Sequence, residues 1–272
     1  MKHSEKAFTF SSGGLVGIVS VPETPANGTG VLVIVGGPQY RIGSHRQFTL
    51  LCRDLAAAGI PAMRFDYTGM GDSEGPLRNF EEVEEDIQAA VETFFEHCDG
   101  LKKVVLWGLC DAATSATFHA WKDPRISGMV LLNPWVRTIA GEAKARMKHY
   151  YLSRLVDPAL WRKILTGKFD FSGSTKDFIG SASSASGHVD SSSLPERMRT
   201  SLEKFQGKIL FILSGNDLTA REFDDLAKSS AWRELISRTE RHDLAEADHT
   251  FSRRQWRDRV SSWTIEWILK EK

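Results

Sequence analysis

Apolar residues occur along the chain in two alternating patterns, short continuous runs and stretches with helical spacing. The continuous runs have the length of strands that are buried on both faces, and they cover residues 30–35, 60–65, 104–107, 129–133 and 209–213. The stretches in which apolar residues recur every three or four positions cover residues 48–58 and 80–97. Strands that alternate with helices predict a mostly parallel central sheet with helices on both faces.

Two segments depart from this alternation. Residues 7–21 have the pattern of an antiparallel hairpin that turns at residues 12–14. Residues 135–207 begin with a basic, aromatic stretch of helical character and continue into the serine-rich residues 172–193. Because this insertion falls between two sheet strands, we predict a small helical cap. The serine-rich part is interpreted as a flexible linker or as the hinge of a lid.

The predicted domain organisation therefore has one core and one insertion. Residues 1–134 and 208–272 form the α/β core, and residues 135–207 form the cap insertion. The basic residues of the cap, between positions 144 and 163, are either a solvated face or a contact surface for an acyl-carrier protein.

Composition excludes several classes of protein. With 41% hydrophobic and 26% charged residues, the 272-residue chain is neither disordered nor fibrous. Lys plus Arg and Asp plus Glu both number 35, so no net field attracts nucleic acid. No apolar run approaches the roughly 18 residues of a membrane span, and no signal peptide is visible at the N-terminus. We therefore expect a cytoplasmic protein without an integral membrane segment.

The main chemical signal surrounds Cys110. This residue follows the strand-like run 104–107 and precedes a helix predicted from about residue 112. Gly108 and Ala112, two positions before and after it, are small enough for a sharp strand-to-helix turn. A helix N-terminus favours an anion and activates a thiol. The alternative is a structural cysteine after a core strand.

The other two cysteines are interpreted separately, because an odd count argues against a disulfide framework. Cys52 lies at helical spacing with Phe48 and Leu55, which predicts burial. Cys98 closes a predicted helix and is expected to be exposed but not activated.

An acid and a histidine follow further predicted elements. Asp217 comes after the run 209–213, where it can either orient a catalytic base or cap the following helix. His249 precedes the final helix and is either a base or a solvated loop residue. Asp217 is preferred as its partner over Asp243 and Asp248, since Asp248 adjoins His249 in sequence.

Two glycine-containing loops complete the candidate site. Residues 64–75 carry three glycines after a strand but lack the Gly-Lys-Ser/Thr ending of a phosphate loop. Residues 36–41 follow the first core strand and are expected to supply one N–H of an oxyanion hole, with the Asp111 N–H as the other. Pro38 has no N–H, so the donor in this loop is Gly37 or Gln39.

These residues resemble the α/β-hydrolase superfamily from about residue 31 to residue 268, with the cap excluded. The order Cys, Asp, His matches the order of its catalytic residues. Residues 64–75 are similar to its Asp-x-Arg-Gly-x-Gly-x-Ser loop, with Thr68 in place of Arg. Residues 247–251 are similar to its catalytic-histidine loop.

A narrower resemblance rests on residues 36–41, 43–48 and 108–112. They look like the exosortase A system-associated hydrolase 1 family, which is found beside bacterial exopolysaccharide and protein-sorting genes. Here Cys110 takes the position of the usual Ser, as it does in dienelactone hydrolases, and Gly36 replaces the common His of the oxyanion loop.

The sequence thus predicts an α/β-hydrolase fold with a Cys110–His249–Asp217 triad. The predicted activity is hydrolysis of a small ester, thioester or lactone substrate through an acyl-cysteine intermediate, without a metal or cofactor. Two alternatives stay open. One is acyl transfer to a sugar or lipid acceptor, and the other is a non-catalytic protein of this fold that binds a ligand.

Overall fold

A computed structural model describes residues 3–12, 14–37, 39–137 and 193–270. Residues 3–136 and 196–270 belong to one compact unit. Most of the predicted cap, including its serine-rich part, lies outside the described residues. The core is therefore the part of the prediction that can be compared with the structure.

In the described part of the chain, eight strands form one sheet in the order β1-β2-β4-β3-β5-β6-β7-β8. The strands are β1 His3–Phe10, β2 Leu15–Pro22, β3 Thr29–Ile34, β4 Ala62–Asp66, β5 Lys103–Leu109, β6 Ile126–Leu132, β7 Lys208–Ser214 and β8 Glu240–Leu244. The first two strands form the predicted hairpin, and β2 also pairs antiparallel with β4. Every pair from β4 to β8 is parallel, which confirms the predicted sheet.

The helices follow the strands in the order expected of an α/β protein. Their bounds are α1 Gln47–Ala57, α2 Glu84–His97, α3 Asp111–Ala120, α4 Leu194–Lys204, α5 Leu218–Ala227, α6 Ser230–Ser237 and α7 Arg254–Leu269. The first helix agrees with its prediction to within one residue at each end. The second begins at Glu84 rather than at residue 80, because Asn79 and Glu82 close a hydrogen-bonded turn there instead.

The sheet sets the place of the candidate site. Its central strands are buried along almost their whole length, so they carry the apolar side chains from which they were predicted. Since β3 to β8 are parallel, their carboxyl ends meet at one edge of the sheet. The loop that carries Gly37 follows β3, Cys110 follows β5, Asp217 follows β7 and His249 follows β8. None of the described helices is both long and apolar enough to cross a membrane.

A buried ion pair joins the loops that follow β3 and β4. The Asp66 carboxylate is fully buried at the end of β4 and accepts hydrogen bonds from the Arg41 guanidinium, the Arg41 N–H at 2.5 Å and the Asp72 N–H at 3.1 Å. The same guanidinium lies 2.6 Å from the exposed carboxylate of Asp72. The glycine-rich loop 64–75 is thus a structural anchor for the loop that carries Gly37 and Gln39.

We expect Asp66→Ala to lower the free energy of unfolding by about 3 kcal/mol. It removes a fully buried carboxylate that accepts two backbone N–H groups, and it leaves the partly buried Arg41 guanidinium with only the exposed Asp72 as its partner. Asp72→Ala is the matched control, since it removes an exposed carboxylate from the same arginine and should cost less than about 1 kcal/mol. Urea unfolding of both variants measures the difference. Equal losses would contradict the assignment of the buried pair as the anchor.

Candidate active site

Cys110 occupies a strained turn between β5 and α3. Its φ and ψ are 63° and −124°, in a region that residues other than glycine rarely adopt. Its N–H donates to the carbonyl of Leu132 at 2.9 Å, and its own carbonyl accepts from the N–H of Trp135 at 3.2 Å. These bonds to the chain around the end of β6 hold the turn in place. The half-buried thiol is thereby presented at the N-terminus of α3.

Small residues permit this turn, as the sequence predicts. A Cβ atom at Gly108 would lie 2.6 Å from the carbonyl carbon of Ala112, a separation that real Cβ atoms do not show. The backbone of α3 therefore passes directly against β5 at Gly108. Ala112 is itself buried, at 1% exposure. The local geometry is that of a nucleophile elbow.

Asp217 and His249 are in direct contact at the same edge of the sheet. The Nδ1 atom of His249 lies 2.9 Å from Oδ2 of Asp217. Asp217 is also the N-cap of α5, since its carboxylate accepts the N–H groups of Thr219 at 3.3 Å and Ala220 at 3.0 Å. The two roles weighed for Asp217 are therefore not exclusive: one carboxylate caps a helix and contacts the imidazole.

The neighbours of His249 favour its charged form. The hydrogen bond with Asp217, followed by the influence of the Cys110 side chain, raises the pKa of His249 to about 10 against the opposing effect of burial. Asp243 and Asp248 are engaged elsewhere, Asp243 with Arg241 and Asp248 with Ser252. The geometry thus brings together Cys110, His249 and Asp217.

Of the two oxyanion donors predicted in the loop after β3, the Gly37 N–H already has a hydrogen-bond acceptor. The N–H of Gly37 donates to Oδ2 of Asp111 at 2.9 Å, while Oδ1 of Asp111 accepts from the N–H of Ala112 at 2.9 Å. The side chain of Asp111 therefore uses one of the N–H groups that the sequence offered for an oxyanion. Burial raises the pKa of Asp111, and the N–H groups of Gly37 and Ala112 oppose that effect.

Gln39 lies two residues beyond Gly37 in the same loop. Its side-chain Oε1 accepts the N–H of Ser44 at 3.1 Å. No hydrogen bond from its own N–H to another described residue occurs. Of the two candidates in this loop, Gln39 is the one whose N–H has no acceptor within the described part of the chain.

Sequence reasoning missed Asn133, which supports the histidine loop. This residue is fully buried after β6 and has a φ of 43°. Its Nδ2 atom donates to the carbonyl of His249 at 3.0 Å and to Oγ of Ser214 at 2.8 Å, and its Oδ1 accepts the Ser214 N–H at 2.9 Å. An asparagine directly after a buried strand was the available signal.

The cysteines differ in exposure, and one prediction about them is wrong. Cys52 is fully buried, as predicted, but Cys98 is 3% exposed rather than accessible at its helix end. Burial raises the pKa of Cys52 to about 11 and that of Cys98 to about 12. Both thiols are therefore protonated and shielded at neutral pH.

We accordingly expect iodoacetamide to modify Cys110 first in the native protein. Its thiol is half-buried and contacts His249, whereas the other two thiols are enclosed in the core. Peptide mapping after brief labelling at neutral pH measures the three rates, with labelling in urea as the control for intrinsic reactivity. Faster labelling of Cys98 or Cys52 would contradict the activation of Cys110.

The mostly parallel eight-stranded sheet with a sharp turn after β5 is the arrangement of the α/β-hydrolase fold. Cys110, Asp217 and His249 follow β5, β7 and β8 in the chain order of that fold's catalytic residues. A family model described as the Alpha/beta hydrolase family matches residues 31–266, and the chain belongs to this family. The predicted fold class and superfamily are thereby confirmed. No curated protein sequence matches the chain.

Solved structures share this fold at low sequence identity. The Pyrococcus furiosus esterase Pf2001 is 13% identical, with a TM-score of 0.67 over 99% of this chain and 91% of that chain. The esterase domain of a Rhodothermus marinus protein is 16% identical, with a TM-score of 0.61 over 99% of each chain. A putative hydrolase from Agrobacterium vitis S4 is 17% identical, with a TM-score of 0.59 over 98% of this chain and all of that chain.

In the stretches that the structure describes, no group of three or more His, Cys, Asp or Glu side chains is placed to hold a metal ion. At the candidate site the described residues bring together a thiol, an imidazole, carboxylates and backbone N–H groups.

Proposed function

We propose that this protein hydrolyses an ester, thioester or lactone through a covalent acyl intermediate on Cys110. The observation that carries the proposal is the contact of His249 Nδ1 with Asp217 at 2.9 Å beside a cysteine held at a strained elbow. A structural cysteine needs neither the strained φ nor a histidine whose pKa it helps to raise.

Each group has one role in the proposed reaction. Asp217 accepts a hydrogen bond from Nδ1–H of His249 and stabilises the imidazolium. The raised pKa of His249 favours a state in which this imidazole holds the thiol proton. Sγ of Cys110 then attacks the substrate carbonyl carbon, and backbone N–H groups stabilise the resulting oxyanion.

His249 transfers the protons in both acylation and deacylation. When the tetrahedral intermediate collapses, the bond to the leaving group breaks and the imidazolium donates its proton to that group. Neutral His249 next takes a proton from water, the hydroxide attacks the acyl carbon, and the thiolate of Cys110 leaves. An acceptor hydroxyl in place of water would turn hydrolysis into acyl transfer.

The decisive experiment is detection of the acyl-enzyme. Rapid mixing with p-nitrophenyl acetate should release a burst of p-nitrophenol equivalent to the enzyme, and intact mass spectrometry should find one acetyl group, mapped to Cys110. Product analysis with sugar or lipid acceptors present separates hydrolysis from transfer. A protein that binds such an ester without any burst or adduct would be the non-catalytic ligand-binding alternative.

Three finer features belong to this proposal. The motifs at residues 36–41, 43–48 and 108–112 support the narrower resemblance to the exosortase A system-associated hydrolase 1 family. Three free cysteines fit a reducing, cytoplasmic location. A contact with an acyl-carrier protein rests on the basic residues of the cap, which lie outside the described residues.

A further inference from the structure

The side chain of Asp111 occupies the space next to the backbone of Gly36. A Cβ atom at Gly36 would overlap Oδ1 of Asp111 and would lie 2.9 Å from Cβ of Ala112. The space beside the backbone of Gly36 is therefore filled by the Asp111 carboxylate. This carboxylate takes the place of the side chain that Gly36 lacks.

The same carboxylate connects two parts of the candidate site that are distant in sequence. It accepts one N–H from the loop after β3, at Gly37, and one from the first turn of α3, at Ala112. A carboxylate in the first turn of a helix is favoured by the helix dipole, which makes this position a firm anchor for the loop. Asp111 thereby ties the loop after β3 to the first turn of α3, next to Cys110.

Further contacts fix the loop beyond Gly37. Oε1 of Gln39 accepts the N–H of Ser44, and the N–H of Arg41 donates to buried Asp66 at 2.5 Å. The loop is thus anchored before, at and after Gln39, while the Gln39 N–H has no acceptor among the described residues. A donor held in this way needs little reorganisation when an oxyanion forms.

We infer that Asp111 is a positioning residue that withdraws the Gly37 N–H from catalysis and holds the Gln39 N–H as the second oxyanion donor. The inference rests on the proposed function and deepens it, because it chooses between the two donors that the sequence leaves open. The Asp111 N–H is the first donor. It also interacts with its own carboxylate and must leave that contact when the oxyanion forms, whereas the Asp111 side chain acts only as the anchor.

A negative charge on the Asp111 carboxylate would repel an oxyanion that forms nearby. The N–H groups of Gly37 and Ala112 and the positive charge of His249 all favour its ionised form, while burial opposes ionisation. Burial raises the pKa of Tyr67 to about 12, and the negative charges of Asp111 and Asp86 add to this effect. The hydroxyl of Tyr67 is therefore neutral and adds no second negative charge.

Two reactions of Cys110 distinguish the effect of Asp111 on the oxyanion donors from its effect on the reactivity of the thiol. Iodoacetamide alkylates the thiolate by displacing iodide from carbon, so no oxyanion forms. Acylation by p-nitrophenyl acetate passes through a tetrahedral oxyanion before p-nitrophenolate leaves. The ratio of the acylation rate to the alkylation rate therefore reports the oxyanion donors, and it cancels changes in the reactivity of the thiol.

The test compares this ratio in the wild type, Asp111→Asn and Asp111→Ala. Removal of one oxyanion donor costs about 10²–10³ in rate, so a displaced donor should lower the ratio at least about tenfold in Asp111→Ala. Asp111→Asn keeps an oxygen that can accept from the Gly37 N–H and should lose less. Asp123→Asn, which removes a carboxylate paired with Arg125 away from the site, is the matched control with an unchanged ratio.

A ratio in Asp111→Ala that equals or exceeds the wild-type ratio would overturn the inference, because the carboxylate would then be dispensable or would obstruct the donors. If the wild type is alkylated but never acylated, the proposed function fails together with the inference. A normal wild-type burst with an unaffected Asp111→Ala variant removes the inference alone.

A second measurement identifies the donor directly. A trifluoromethyl ketone adds to the Cys110 thiolate and forms an anionic hemithioketal that mimics the intermediate. In amide NMR spectra we expect the Gln39 proton to move downfield on its addition, while the Gly37 proton stays near its free position. A downfield shift at Gly37 without one at Gln39 would overturn the assignment, even if both variants fold poorly.

Discussion

Cys110→Ala is expected to reduce ester hydrolysis at least about a thousandfold, because it removes the only group of the proposed triad that forms a bond to the acyl carbon. The p-nitrophenol burst and the acetyl adduct should disappear with it. Steady-state hydrolysis of p-nitrophenyl acetate, together with intact mass, measures both effects. The fold should be retained, since the thiol is half-buried and its backbone carries the bonds that fix the elbow.

The buried cysteines provide the controls for that variant. Cys52→Ala and Cys98→Ala change thiols that lie in the core, so they can lower stability but should leave hydrolysis within about twofold. Cys110→Ser keeps a nucleophilic oxygen at the elbow and should retain more activity than Cys110→Ala. Hydrolysis that survives in Cys110→Ala within about tenfold of the wild type would mean that another group performs the reaction.

Asp217→Asn is expected to lower turnover at least about a hundredfold, since it removes the carboxylate that orients His249 and stabilises its positive charge. The pKa of His249 is raised to about 10 chiefly by Asp217, so in the variant it should fall toward its ordinary value of 6.5. The kcat of purified variants and an NMR titration of the imidazole measure the two effects. They are expected to occur together.

Asp248→Asn is the matched control, because Asp248 adjoins His249 in sequence but accepts its hydrogen bonds from Ser252. It should leave turnover within a few-fold and the His249 titration unchanged. Asp217→Asn also weakens the cap of α5, so circular dichroism and urea unfolding must accompany the kinetics. The reverse order of effects in the two variants would make Asp248 the functional acid.

The central sheet could be predicted because its strands are buried on both faces. Strands β3 and β5 consist almost entirely of apolar residues, and their short length and β-branched residues distinguish such runs from buried helices. The edge strand β8 gives no comparable signal, since residues 240–244 are mostly polar and partly exposed. Helix α6 is only eight residues long, which is shorter than the window of about 11–18 residues over which helical spacing of apolar residues is recognised.

The sequence could predict those features of the candidate site that follow from the order of strands and loops along the chain. Cys110, Asp217 and His249 each follow a strand of one parallel sheet, so their approach at one edge follows from topology. The contacts of side chains with distant backbone do not follow in this way. The bond from Gly37 to Asp111 joins residues 74 positions apart, and that from Asn133 to His249 joins residues 116 apart. No local pattern encodes either separation.

The shared space of Gly36 and Asp111 has an evolutionary consequence. A Cβ at position 36 cannot coexist with the present position of the Asp111 carboxylate, so Gly36 cannot be exchanged for a larger residue while that carboxylate keeps its place. Positions 36 and 111 should therefore covary among relatives. Relatives with a larger side chain at 36 should carry a residue other than aspartate at 111, or should direct its side chain elsewhere. The glycine at position 36 and the aspartate beside the cysteine should then occur together in the same relatives.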